Sequence, residues 1–571
     1  MKKYAFLIFL MIALTAATTA QAEYGEWEKL HSLGGPPGLS NAVFLSLGIG
    51  DIDNLYTAGL QQVGGFDMDS GWKSVDGGSN WDPIIQTSVG GGNECSILEL
   101  FSFTLANDAA SPDRAAYAGF GVDDECIENT PAPECLFKCI FQMKPYILYT
   151  EDGGQTFNEA ELNGPAMFNM IMMMDFVDES VGYAAGMPHL LVRTQDGGAT
   201  WNKISAPGNL LTFFNAVKFL DQDTGFLASG LPEDEKDALS IEDPQQRVEY
   251  LLHMARLAKD PVYRMEYREQ NASASKGTAG MAWRTDDGGA TWTLMLSQPN
   301  YSFLNIEMID SDNGFIIGEP HSGATPLALW RTTDGENWED VSDTLPQDMG
   351  NVQKWAAAAL SFQPEIGDVG FVGGAGQSFI SFLPVLLYTD DGGDTWNYDE
   401  TIEELGNPIF QLKWANPKIA YSVGIDLSVF RYTQTNVRPF ANAGEDQEGA
   451  VGDTMTLDGS ASMDYDDDPL TYVWTLFDGP NVDIADTAVD LTSFVPIEAG
   501  EYTFELTVSD GQEDDGDTVS YKIAANTDDD DADDDTDGDD DDTDSGDDDA
   551  GDINPPADDD DDNDDEGGCG C

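Results

Sequence analysis

The 571-residue chain carries 106 acidic residues against 25 basic ones, a net charge of −81. Such a surface argues against nucleic acid and anionic membranes as partners and makes cations its natural counter-ions, while a 41% hydrophobic content still supplies core for several domains. The stretch from Thr527 to the end holds 25 acidic residues and no basic one, which leaves −56 on the rest, so the acidity is not confined to the tail.

Residues 1–22 read as a secretory signal peptide: Lys2 and Lys3, an apolar run from Tyr4 to Leu14, and Ala20-Gln21-Ala22 before a cleavage point at Glu23. The run is short for a membrane anchor, and no later stretch is apolar enough to span a bilayer. The expectation is an exported protein, secreted or at the cell surface, with no integral membrane span.

From there to about Thr435 one short motif recurs. It reads SVDGGSNW (Ser74 to Trp81), TEDGGQTF (Thr150 to Phe157), TQDGGATW (Thr194 to Trp201), TDDGGATW (Thr285 to Trp292), TTDGENW (Thr332 to Trp338) and TDDGGDTW (Thr389 to Trp396). Apolar runs before each copy and a Trp-containing segment after it predict two strands around a tight turn. The Asp and Thr can bond the turn's own amides, the glycines tolerate positive φ, and the Trp locks the hairpin to its neighbour.

This pattern resembles the Asp-box, or BNR repeat, of sialidases, sortilin-type receptors and photosystem II assembly factor-like proteins, a resemblance that implies a β-propeller. A second recurring piece, strand, acidic turn, strand, precedes each box, as in Met172 to Gly186, Val217 to Gly230, Ile306 to Gly318 and Leu360 to Gly374. Together they make four strands per unit. The last unit, Leu412 to Thr433, lacks a box; Gly25 to Leu30 matches the strand that follows other boxes and is expected to close the ring from the other end of the chain. The count is seven blades, with six and eight as alternatives.

If the box joins the third and fourth strands, the second-to-third connections all emerge on the opposite face. The elaborations lie there: Val122 to Lys144, a partly helical insertion over residues 231–280, Gly318 to Pro326 and Gly374 to Phe382. That face is the expected binding face. The insertion has helical spacing from Ile241 to Asp260 and concentrates Arg247, Arg256, Lys259, Arg264, Arg268 and Lys276, either to meet an anionic partner or to cap the propeller. Glu319 and His321 are the polar pair on this face singled out as ligand-binding candidates.

Cys95, Cys126, Cys135 and Cys139 share one blade of an exported protein, so two disulfides are expected, ahead of a zinc site. The histidines His31, His189, His253 and His321 are scattered without metal-ligand spacing. No sialidase-like arginine motif is present near the N-terminus, whereas Arg193, Arg284 and Arg331 stand directly before boxes, as in the photosystem II assembly factor-like propellers. That likeness implies protein binding or assembly more than catalysis.

Residues 436–526 resemble a polycystic kidney disease-type (PKD) domain, an immunoglobulin-like β-sandwich. Asp458-Gly459-Ser460, Tyr472-Val473-Trp474 and Tyr502 to Asp510 carry the match, with Trp474 expected in the core. Asp464, Asp466 and Asp468 are a candidate Ca²⁺ cluster. No motif requires a cofactor; Ca²⁺ is the sole candidate. Residues 527–571 are an Asp-rich tail too polar to bury a core, expected to be disordered and to gather cations, and they end in GGCGC, where Cys569 and Cys571 are candidate points of surface attachment.

The expected whole is an all-β exported protein: a seven-bladed Asp-box propeller, a PKD-type sandwich and an acidic tail. Its expected role is non-catalytic binding or assembly with a surface protein or glycan. The alternative is a secreted glycoside hydrolase with two carboxylates facing each other across the propeller funnel.

Overall fold

The computed structural model describes residues 25–32, 42–64, 67–87, 103–121, 144–165, 169–210, 212–230, 241, 244–270, 278–321, 327–378 and 381–525. The four cysteines of the expected disulfide pair, Cys569 and Cys571, and the leader and tail lie outside the described residues.

Antiparallel hairpins build seven sheets in succession, here blades 1 to 7. Their first strands are Ala42–Ile49, Phe103–Ala109, Met170–Phe176, Phe214–Phe219, Tyr301–Met308, Lys354–Phe362 and Ile409–Asn416. Each packs against the first strand of the next blade, and the strand of blade 7 returns to that of blade 1, so the sheets form a closed ring around a central channel. Blade 7 takes its outermost strand from the N-terminal segment: Glu26–His31 pairs antiparallel with Val429–Thr433, Trp27 opposite Tyr432. This pairing covers an otherwise open edge and fastens the two ends of the propeller to each other. The regular elements among the described residues are nearly all strands, with two α-helices, and no helix among them is long and apolar enough to cross a membrane.

Each Asp-box is a self-contained hydrogen-bonded turn. In blade 3 the buried Thr194 hydroxyl accepts from Gly198 N at 3.0 Å and donates to Asp196 Oδ1 at 2.9 Å, and Asp196 Oδ1 accepts from Thr200 N at 2.8 Å. Gly197 and Gly198 hold φ of 73° and 98°, a region that a Cβ would strain. Trp201 Nε1 bonds Gly198 O at 3.0 Å while its ring is fully buried. The turn is then hooked to the preceding loop of its own blade by Gly197 N bonding Ser180 O at 2.8 Å.

Four of the six boxes are preceded by a basic residue, and it joins blade to blade. Lys73 of blade 1 reaches Pro112 O and Gly153 O of blade 2 at 3.2 and 3.1 Å; Arg284 of blade 4 reaches Ser311 O and Gly335 O of blade 5 at 3.1 and 3.3 Å. Arg193 bonds Gln222 O of blade 4, and Arg331 pairs with Asp394 of blade 6. Each side chain also lies over an aromatic ring of its own blade: Arg193 over Tyr183, Arg284 over Phe226, Arg331 over Phe315. The arginines marked out by the motif therefore act in the seams between blades.

The second domain pairs a four-stranded sheet, in the order Gln447–Ala450, Asp514–Ala524, Gly500–Ser509, Thr471–Asp478, with the two strands Met455–Asp458 and Leu491–Phe494. Between them lie Trp474, Phe494, Tyr502, Phe504, Leu506 and Tyr521, and Trp474 Nε1 finds Val489 O at 3.2 Å. Its contacts with the propeller fall on blades 6 and 7: Arg438 bridges Asp368 and Asp515, Lys418 pairs with Asp466, and Tyr465 bonds Glu365.

The box carboxylates make the propeller acid-sensitive. The Thr291 side chain and amide, with the Thr285 hydroxyl, draw Asp287 down to about 2, and the Thr156 contacts do the same to Asp152. A depressed carboxyl contributes stability that is complete above its ordinary value near 4 and lost as the pH falls through 2. The stability gap between wild type and Asp152→Asn/Asp287→Asn, measured by denaturant melts, is expected to close between about pH 4 and pH 2. A gap unchanged across that window contradicts this role.

Candidate functional site

Asp-boxes and first-to-second strand turns occupy one face of the ring, and the second-to-third connections occupy the other. On that second face the insertion in blade 4 forms a helical hairpin, α1 (Pro244–Lys259) and α2 (Pro261–Gln270). The expected helix ended at Asp260 and missed α2. Asp260 and Pro261 were the available signal: Asp260 Oδ1 accepts from Tyr263 N at 2.9 Å, and Pro261 occupies the first helical position. His253 Nδ1 and Tyr263 Oη, 2.8 Å apart, tie the two helices together.

The hairpin plugs the channel. Met254, Ala255 and Leu257 pack in one cluster with Leu45 of blade 1, Phe120 of blade 2, Met170, Met172 and Met187 of blade 3, Phe213 of blade 4 and Phe410 of blade 7. Blades 5 and 6 are joined through Glu319. Its Oε2 accepts from Arg264 Nε at 3.0 Å and lies 3.5 Å from Arg268 Nη1; its Oε1 accepts from Ala357 N at 3.2 Å. Arg264 also donates to Leu257 O and Ala258 O at 2.8 and 3.2 Å and to Ala357 O. Arg264 and Glu319 are 1% and 2% exposed.

Glu319 is thus the clasp of the plug. His321, also buried, bonds Ser302 Oγ at 3.0 Å and takes Asn300 O through its amide at 2.8 Å. The structure places the two candidate residues side by side in the strand end of blade 5, both enclosed by protein. Of the insertion's basic residues, Arg264 and Arg268 face Glu319, the exposed Arg256 pairs with Asp260 and stacks on Tyr263, and Lys259 points to Met173, while Lys276 and the Arg247 side chain lie outside what the structure describes.

Beyond the plug the channel carries a ring of charged side chains that sequence reading passed over. They occupy one position, near the end of the first strand, in blades 2 to 5 and 7: Asp108, Asp175, Lys218, Glu307 and Lys413, with Ser361 in blade 6. They are spread far apart in sequence, and aligning the repeats on the strand end that precedes each acidic turn would have shown them. Asp108 Oδ2 accepts from Phe176 N at 2.8 Å, Asp175 Oδ2 from Phe219 N at 2.7 Å, and Glu307 from Phe362 N. Each carboxylate therefore staples its blade to the next.

Lysines neutralise the ring. Lys413 Nζ lies 2.8 Å from Asp108 Oδ1, and Lys218 is surrounded by Glu307, Asp175 and Asp108, which hold its ammonium well above the ordinary range against the effect of burial. Burial pushes Glu307 and Asp175 up, opposed by Lys218. The cavity at this level encloses about 170 Å³.

In the second domain, Asp464 Oδ1 accepts from Asp466 N and Asp468 N at 2.8 and 2.9 Å, an Asx-type turn, while Asp466 accepts from Val437 N at 2.6 Å and pairs with Lys418. Among the described residues no three His, Cys, Asp or Glu side chains come together so as to hold a metal ion.

Comparison with known proteins matches residues 139–227 to the family described as photosynthesis system II assembly factor YCF48 and residues 436–525 to the PKD domain. The chain is a BNR-type propeller followed by a PKD domain. It is 24% identical over 298 residues, 46% of this chain and 81% of the relative, to the photosystem II assembly protein Ycf48 of Thermosynechococcus vestitus. Among solved structures, YCF48 bound to D1 peptide aligns with a TM-score of 0.42 at 13% identity, covering 72% of this chain and 96% of that one. The GH74 enzyme of Niastella koreensis aligns with a TM-score of 0.42 at 11% identity, covering 88% and 69%.

Removing Arg264 leaves the buried Glu319 carboxylate with the longer 3.5 Å contact to Arg268, a loss on the order of 3–5 kcal/mol at most, whereas removing both Arg264 and Glu319 is closer to neutral. Arg264→Met is expected to lower propeller stability by that order in denaturant melts and Arg264→Met/Glu319→Leu to restore most of it. Equal losses in the single and double variants contradict the clasp.

Proposed function

We propose that this chain is an exported, non-catalytic binding protein that engages a protein partner in an assembly role through its loop-elaborated propeller face, needing no cofactor. The observation that carries this reading is the chemistry of the channel. A hydrolase needs carboxylates within reach of its substrate, and here each ring carboxylate accepts a main-chain amide of the neighbouring blade while lysines balance its charge. The cavity of about 170 Å³ is small beside ordinary ligand clefts of about 300–1,000 Å³. The plug closes the other end and turns the middle of the elaborated face into a surface instead of a funnel.

The similarity to a protein named for photosystem II assembly, over most of that relative's length, supports the assembly role. The photosynthetic context itself is not carried over: the partner here is a protein met outside the cell, at or near the surface, and the PKD domain and acidic tail hold the propeller away from its attachment.

The rival reading, a glycoside hydrolase, draws on Glu307 and Asp175, whose burial favours the protonated form that a general acid needs. Incubating the full chain with a panel of sialylated glycans and polysaccharides, and reading products by mass spectrometry, separates the two. No product is expected. A defined product that disappears in Glu307→Gln would establish the hydrolase. In the binding arm, peptides selected from a display library at high sodium chloride are expected to lose about tenfold affinity, about 1.4 kcal/mol, when exposed Arg256 and Glu266 on the hairpin are charge-reversed; peptides indifferent to both changes would move the binding surface elsewhere.

A further inference from the structure

A cavity larger than the channel lies in the second domain. It holds about 640 Å³ between residues 481–485 and 493–497, within the range of about 300–1,000 Å³ for ordinary ligand clefts that the channel's 170 Å³ does not reach. Main-chain bonds fix its two walls. Ala485 N donates to Ser493 O at 2.9 Å, Ile484 bridges Phe494, and Gly452 N donates to Pro496 O at 2.9 Å, so the cavity is preformed. Val482 and Ile484 pack on the domain core, and Phe494 belongs to it. The rim is different: Val495 and Ile497, on either side of the buried Pro496, are 44% and 69% exposed. Six of the ten large apolar side chains left exposed among the described residues belong to this small domain. Scattered ones are ordinary, but apolar side chains grouped around a standing cavity mark a docking site. Asp483 is the one ionisable residue lining it.

We infer that this pocket docks a segment of a partner protein that presents a bulky aliphatic or aromatic side chain next to a lysine or arginine. The apolar side chain fills the space between Val482, Ile484, Val495 and Ile497, as an anchor residue fills the centre of an interface. The cation meets Asp483, with the exposed Asp486 and Glu498 close to it in sequence on the two walls. Charge selects such a segment: between residues 436 and 525 the basic residues are Arg438, held by Asp368 and Asp515, and Lys522, 3.8 Å from Glu448.

Other occupants fit less well. A sugar ring needs an open aromatic face to stack on, and Phe494, the one aromatic residue of the lining, is 2% exposed. The chain's own tail from Thr527 onward carries 25 acidic residues and Ile553 as its single large aliphatic side chain. A second copy or an anionic lipid surface brings more negative charge to a chain already at −81. The pocket does not depend on the propeller face, and with a partner there as well the chain would hold two proteins together.

The test is fluorescence anisotropy of the full chain with two labelled peptides, one alternating lysine with valine and phenylalanine, the other alternating lysine with serine. Sodium chloride at about 0.5 M, where charges are screened within about 4 Å, removes the general attraction of a basic peptide to so acidic a chain. The expected result is saturable binding of the apolar peptide, at least tenfold tighter than the serine peptide. Ile497→Gln and Val495→Gln, at exposed positions, are expected to weaken it about tenfold each while melting stays that of wild type, and Asp483→Asn to weaken it more in about 0.1 M salt than in 0.5 M. Equal affinity for the two peptides, or affinity retained by both apolar variants, overturns the site; affinity retained by Asp483→Asn at low salt overturns the requirement for a cation. Dimers in analytical ultracentrifugation that Ile497→Gln abolishes would give the pocket to a second copy and overturn the partner segment.

Discussion

The buried Arg264–Glu319 pair is the contact on which the character of this propeller turns. A seven-bladed ring leaves a channel through its middle, and an open channel lined by carboxylates would be a cleft for chemistry. Glu319 anchors a helical hairpin across one mouth, reaching both guanidinium groups of α2 and the backbone of blade 6 at once. Its oxygens are fully occupied, which is the condition under which a buried ion pair is tolerated. The apolar face of the hairpin then covers the first strands of the other blades, so plug and ring form one core.

Scarcity of positive charge shapes everything else. With 25 basic residues against 106 acidic ones, their positions are informative. Lys73, Arg193, Arg284 and Arg331 bridge the seams between blades; Lys218 and Lys413 neutralise the channel ring; Arg264 and Arg268 hold the plug; Lys418 and Arg438 fix the PKD domain to blades 6 and 7. These cations stand between parts of the molecule, and the outer surface is left overwhelmingly negative. Among the described residues of the insertion, Arg256, Arg264 and Arg268 are turned to Asp260 and Glu319. A partner that meets the propeller meets acid, and salt will screen that encounter strongly.

What could be read from the sequence was what is local in it. The Thr and central Asp of an Asp-box bond within its own eight residues, so Thr194, Asp196, Gly197, Gly198 and Trp201 announce their turn and, by recurrence, the fold. The PKD core around Trp474 was equally plain, because alternation within single strands carries it. Glu319 and His321 stood out as polar residues at a strand end, but their partners, Arg264 and Ser302, come from a distant insertion and a neighbouring strand, and no spacing rule connects them. The channel ring escaped for the same reason: one residue per blade, joined only when the ring closes. α2 was hidden differently, by a charge-rich run whose buried members are Pro261, Arg264 and Met265, so its amphipathic pattern does not read as apolar.

Hydrogen exchange of the full chain, followed residue by residue over 244–270 and over the seven first strands, tests the central claim that the hairpin is a fixed part of the propeller core. The account predicts that amides of α1 and α2 around Met254, Leu257 and Met265 exchange as slowly as those of the innermost strands, and that Glu319→Gln speeds the helices while the strands stay protected. Helices that exchange freely in the wild-type protein while the strands remain closed would mean an open channel, and would return its carboxylates to contention as a catalytic site.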